Sequence, residues 1–209
     1  MLNSISRVLG QAFFFVLAPG VFNSVSAATQ LDIPQIGPHE PILTFEKNEN
    51  PQNVLIVYTE VDQNCHFRGP TASTGAPFVD YYWLMNRKTY KPVNPMIKIG
   101  IRDRLTIENS KGTTPDSFIV KIEDLDKLKT DLKDPRMTIK SAREGKGCAV
   151  EALVTLGASD HDRVLRLKTI STVSEKILMP PFRKIKAVSL EGNDVKTGED
   201  IRRTYTAHH

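Results

Sequence analysis

The sequence predicts an all-β domain, mostly antiparallel, folded as a sandwich or a barrel with one short helix. Three observations carry this reading. The apolar runs are short and rich in β-branched residues; Gly, Asn, Asp and Pro punctuate them closely; and strict two-residue alternation recurs, most clearly from Val79 to Met85. No segment repeats and no low-complexity tract occurs, which sets solenoids and propellers aside.

The first element is not part of the domain. MLNSISRVLGQAFFFVLAPGVFNSVSAATQ carries Arg7, then an uncharged run from Val8 to Phe22, then the small residues Val25-Ser26-Ala27. This is the three-part pattern of a secretory signal, so residues 1–27 are expected to be removed and the mature chain to begin at Ala28. The run is too short, and too broken by Pro19 and Gly20, for a permanent span. No later segment approaches about 18 uncharged apolar residues, so the mature chain is expected to carry no transmembrane segment. The expected compartment is the periplasm or the exterior. Removing residues 1–27, with one base and no acid, takes the formal net charge from +4 to +3. That mild excess argues against nucleic acid as a partner.

Residues 28–52, including the Pro-rich LDIPQIGPHEP, read as an extended lead-in, and 53–209 as one β-rich domain. Within the domain, strands are expected at Val54–Val61, Val79–Arg87, Leu105–Glu108, Phe118–Ile122, Met137–Lys140, Ala149–Leu156, Arg163–Thr172, Ile185–Leu190 and Asp200–Thr206. Turn-rich stretches, among them Asn64–Pro77 and SAREGKG, separate them. EDLDKLKTDLKDP departs from this pattern. Leu125, Leu128 and Leu132 fall at helical spacing and Pro135 stops the run, so one short helix is expected over an end or an edge.

Cys65 and Cys148 are the only cysteines. In an oxidising compartment two thiols allow one pairing, and a structural disulfide is expected. A nucleophilic Cys65 assisted by His66 is disfavoured, because neighbours on an extended chain point to opposite faces.

The stretch DYYWLMNRKTYKP concentrates three of five tyrosines and the single tryptophan. Alternation assigns Val79, Tyr81, Trp83 and Met85 to one apolar face, with Tyr81 and Trp83 as core, and leaves Tyr82 as the aromatic able to face a ligand. Residues 87–104 then hold six bases, Arg87, Lys88, Lys91, Lys98, Arg102 and Arg104, against Asp103. Pro92 and Pro95 make its first half a loop. These six with Tyr82 are the candidate contacts for an anionic envelope component or a small ligand.

Other clusters read as turns. Asp160-His161-Asp162 cannot converge on one ion without the loop folding back. Asn193, Asp194, Glu199 and Asp200 miss EF-hand spacing and suit a hairpin turn with Gly192 and Gly198. The chain lacks a P-loop, a dinucleotide fingerprint, CxxC and HExxH, so no metal or cofactor is expected.

Three segments resemble, in this order, an uncharacterised family of exported bacterial proteins classed only as a domain of unknown function: VDYYWLM, NPMIKIGIRDRL and the terminal IKAVSLEGNDVKTGEDI. The last carries most of the likeness, through Glu191, Gly192, Asp194, Lys196, Thr197 and Gly198. The resemblance implies export and a β-rich domain and brings no activity. Because the sequence carries no catalytic signature, the expected function is non-enzymatic binding of a ligand or an anionic envelope component. The competing expectations are a periplasmic hydrolase, on Ser159, His161 and Asp162 or on a set that sequence order hides, and a purely structural envelope protein.

Overall fold

Alternating side chains cover both surfaces of most strands unequally, and the chain resolves this by folding one sheet over its own apolar face. The computed structural model describes residues 33, 36–47, 52–69, 77–95, 104–108, 114–128, 132, 134–157, 163–176 and 183–207. All of them belong to the unit Ile33–His209. The stretch 1–27 read as a signal lies outside the described residues.

The elements in chain order are β1 (His39–Lys47), β2 (Val54–Glu60), β3 (Val79–Met85), β4 (Thr89–Pro92), β5 (Leu105–Glu108), β6 (Ser117–Ile122), α1 (Glu123–Leu128), β7 (Arg136–Glu144), β8 (Gly147–Thr155), β9 (Val164–Lys176), β10 (Arg183–Asp194) and β11 (Asp200–Thr206). The all-β class with a short helix is as expected. β1 falls inside the stretch read as a lead-in, where it pairs with both β2 and β9. β4 occupies part of a segment read as loop; Pro92 is tolerated there because β4 is an edge strand. SAREGKG is mostly strand, since the β7–β8 hairpin needs only Gly145 and Lys146 to turn, with Gly145 at φ 56°.

The sheet is neither a closed barrel nor two separate layers. Its strands run β4-β3-β2-β1-β9-β8-β7-β6-β5, with β10 on the other side of β9 and β11 beyond it. One edge of β9 is shared: β8 pairs with residues 164–167, and β1 pairs in parallel with residues 169–172. Lys168, between them, is skipped by β10, whose Glu191 and Gly192 face Thr169 and Leu167. This bulge is the branch of the sheet. The Lys168 carbonyl accepts a hydrogen bond from Thr44 Oγ1 at 3.3 Å, and Thr44 and Thr169 share a second at 2.8 Å. A polar group displaced from the ladder at the branch is thus satisfied.

The two wings, β1–β4 and β5–β8, meet face to face. Leu43, Phe45, Leu55, Val57 and Tyr81 from one pack in a single core with Phe118, Val120, Ile122, Met137 and Ile139 from the other. α1 closes an end with Leu125 and Leu128, and the buried Leu132 follows. Its Asp124, 1% exposed, pairs with Arg104 at 3.4 Å and accepts from Thr172 Oγ1 at 3.3 Å. Away from β9, the segment after β2 reaches across the gap. Phe67 stands edge-on to Phe118 at 4.8 Å, the Phe67 amide donates to the Pro115 carbonyl, and the Cys65–Cys148 disulfide ties the segment to β8.

Candidate functional site

The β3–β4 hairpin begins from its turn. The Lys88 amide donates to the Met85 carbonyl at 3.0 Å, and Asn86 and Arg87 have φ of 51° and 55°. Two left-handed central residues make a type I′ turn, which suits the twist of a hairpin and favours Asn followed by Gly. Asn86 obeys this preference, and Asn53 Oδ1 accepts its amide at 2.9 Å. Arg87 stands where glycine is preferred. Its guanidinium, exposed, reaches the partly buried Glu46 at 3.2 Å. Lys88 and Lys91 are exposed and have no acidic partner among the described residues.

The seven candidate contacts do not share one surface. Lys91 is opposite Trp83, whereas Tyr82 is opposite Pro92, so Lys91 and Tyr82 project from opposite faces of the sheet. Arg104 lies 17% exposed against Asp124, with its guanidinium 5.6 Å from the Phe45 ring centre, and faces the core end. Lys98 and Arg102 lie outside the described residues. So do Ser159, His161 and Asp162. Of the two aromatics read as core, Tyr81 is 2% exposed, and Trp83 is half-buried against the core beside the short edge strand β4.

Tyr82 belongs to a cluster that sequence reasoning did not assemble. Its ring lies 5.4 Å from Tyr58 and 5.9 Å from His39, which stacks on Phe78 at 5.5 Å. His39 Nδ1 also approaches Glu60 Oε1 at 3.3 Å across the β1–β2 pair. Burial, reinforced by Tyr90 and Tyr82, pushes the Tyr58 hydroxyl well above the usual tyrosine range. These residues come from separate segments, and only strand register brings them together.

The acidic group near the C-terminus is consumed by its own hairpin. Asp194, 3% exposed, accepts the Lys196 and Thr197 amides at 2.8 Å and pairs with Arg163 at 2.7 Å. Arg163 also holds Glu199 at 2.8 Å, and Asn193 donates to Asp200. The Arg163 guanidinium first, then the Thr197 amide, holds the Asp194 carboxyl well below the usual range. Among the described residues no set of three His, Cys, Asp or Glu side chains is placed to hold a metal.

Between the wings, Val57, Tyr81, Leu105, Phe118, Val120 and Ile139 help line a cavity of about 10 Å³. That is room for roughly one water, so this part of the core is essentially filled. No helix among the described residues is long and apolar enough to cross a membrane. No family model, curated protein or solved structure matches the chain.

Proposed function

We propose that the chain is an exported, non-enzymatic β-domain that binds an anionic component of the cell envelope through its β3–β4 hairpin. Arg87 is the observation that carries this reading. A non-glycine residue in the left-handed region costs roughly 1–2 kcal/mol, and here the cost falls on an arginine in an exposed turn. Outliers of this kind recur at functional positions. Lys88 and Lys91 flank it, exposed and without acidic partners among the described residues. The nearly filled space between the wings, among the described residues, supports surface contact there over an enclosed small ligand. The disulfide and the N-terminal pattern support an oxidising compartment.

The test is co-sedimentation with vesicles of phosphatidylglycerol and phosphatidylcholine, and with phosphatidylcholine alone, at two salt concentrations. The protein is expected to follow the anionic vesicles at low salt and to leave them as salt shortens the Debye length below about 8 Å. A Lys88→Glu/Lys91→Glu variant is expected to bind at least about tenfold more weakly, since each basic residue near an anionic surface contributes about 1 kcal/mol. Equal binding by both proteins at low salt would refute the assignment.

A further inference from the structure

Among the described strands the branched sheet leaves three outer edges, on β4, β5 and β11. A free edge is a template for another strand unless it is blunted. β4 has four residues, two of them Lys91 and Pro92, and β5 has four. β11 has seven residues and neither Lys nor Pro. The Ala207 amide donates to the Lys186 carbonyl at 3.1 Å, next to the Ala187–Thr206 pair. Backbone groups of alternate residues point to the same side of a strand. Ile201, Arg203 and Tyr205 therefore serve β10, while Asp200, Arg202, Thr204 and Thr206 present N–H and C=O along the open edge.

We propose that this edge docks a second copy of the chain, the first residues of the two β11 strands pairing antiparallel about a two-fold axis through Ile201, so that Asp200–Arg202 of each copy face one another. A two-fold axis fixes every facing pair once its central residue is chosen. Centring on Arg202 or Arg203 sets that arginine against its own copy, and like charges directly opposite are destabilising. Centring on Thr204 carries Glu199 and Asp200 past residue 207. Centring on Ile201 places Asp200 opposite Arg202 of the second copy on one face and Glu199 opposite Arg203 on the other, each pair occurring twice. Charge complementarity selects this register. The side chains retain capacity for it: Arg202 is 66% exposed and touches Glu191 only at 3.4 Å, and Glu199 is 65% exposed. A guanidinium has five donors and a carboxylate two oxygens, so the existing contacts leave groups to share.

This inference uses a different strand from the proposed envelope contact and stands apart from it. Sedimentation equilibrium over micromolar to millimolar concentrations tests it with the oxidised protein, Arg202→Asp, and the double variant Asp200→Arg/Arg202→Asp, each checked for unchanged circular dichroism. The wild type is expected to dimerise, Arg202→Asp to weaken the dimer at least about tenfold, and the charge swap to restore it to within about threefold. A second measurement addresses the register: Ile201→Cys is expected to oxidise to a linked dimer, because Cα atoms in a pair of this type lie about 4.5 Å apart. A wild type that stays monomeric throughout, a single variant that dimerises like the wild type, a swap without recovery, or an Ile201→Cys protein that stays unlinked would each overturn the proposal.

Discussion

Gly192 shows how closely single residues constrain this fold. A Cβ built there would collide with the Arg166 carbonyl oxygen and stand 2.8 Å from its carbon and 3.0 Å from Leu167 Cα. All three are backbone atoms at the branch of the sheet, so no side-chain rotation relieves the contact. Gly192→Ala is expected to cost about 3 kcal/mol or more, above the usual overpacking penalty, because β9 must leave β8 or β10 to make room. Urea titration followed by tryptophan fluorescence measures this. A loss below about 1 kcal/mol would show that the bulge at Lys168 shifts freely. Gly198 illustrates a different requirement. Nothing lies near its missing Cβ, but its φ of 72° puts it in the left-handed region at the β10–β11 turn.

At the scale of the element, that turn is held by Asp194, whose depressed pKa links it to pH. Its folded value lies below the unfolded value of about 3.9. Stability from the ionised carboxylate is therefore fully present above the unfolded value and lost as pH falls through the folded one. Replacing Arg163 removes the largest cause of the shift. Arg163→Gln is thus expected to lower stability at neutral pH and to lose less on acidification from pH 5 to pH 2 than the wild type does. Denaturant midpoints at those pH values check this, and parallel slopes for the two proteins would contradict it. The elements themselves were largely legible. β5 and β11 begin and end where their alternation and turn residues indicate, and Leu125, Leu128 and Leu132 are buried as their spacing requires. What local pattern does not encode is partnership. Arg104 reads as one more cation in a basic run until α1 sets Asp124 beside it. Tyr82 reads as a lone ligand-facing ring until register places Tyr58 and His39 around it. β1 reads as lead-in because three prolines, Pro34, Pro38 and Pro41, precede its apolar core, Ile42 to Phe45, and its parallel pairing with β9 joins residues more than a hundred positions apart.

At the scale of the whole molecule, the two wings share hydrogen-bonded continuity only through β9 among the described strands. The far side depends on the segment after β2. There Cys65 bonds Cys148, the Cys65 carbonyl accepts Ser141 Oγ, the Gln63 carbonyl accepts the Arg143 guanidinium, and Asp62 Oδ1 collects the Asn64 and His66 amides at 2.8 and 2.9 Å. Three of these four contacts cross between wings, and the fourth shapes the loop that makes them. The sequence separation of 83 closes a long loop, for which the chain-entropy account gives about 4–5 kcal/mol, with measured values commonly lower. A Cys65→Ser/Cys148→Ser variant is expected to lose about 2–4 kcal/mol. The loss should also be uneven. β9 is paired along one edge with β10 and along the other with β8 and β1, so it keeps its ladders without the disulfide. Hydrogen exchange is expected to quicken in residues 62–68 and at the β7–β8 tip while the amides of β9 and β10 stay protected up to global unfolding. Equal acceleration across β9 and the tip would mean that the wings and the branch unfold as one unit, with the disulfide acting on the unfolded chain alone.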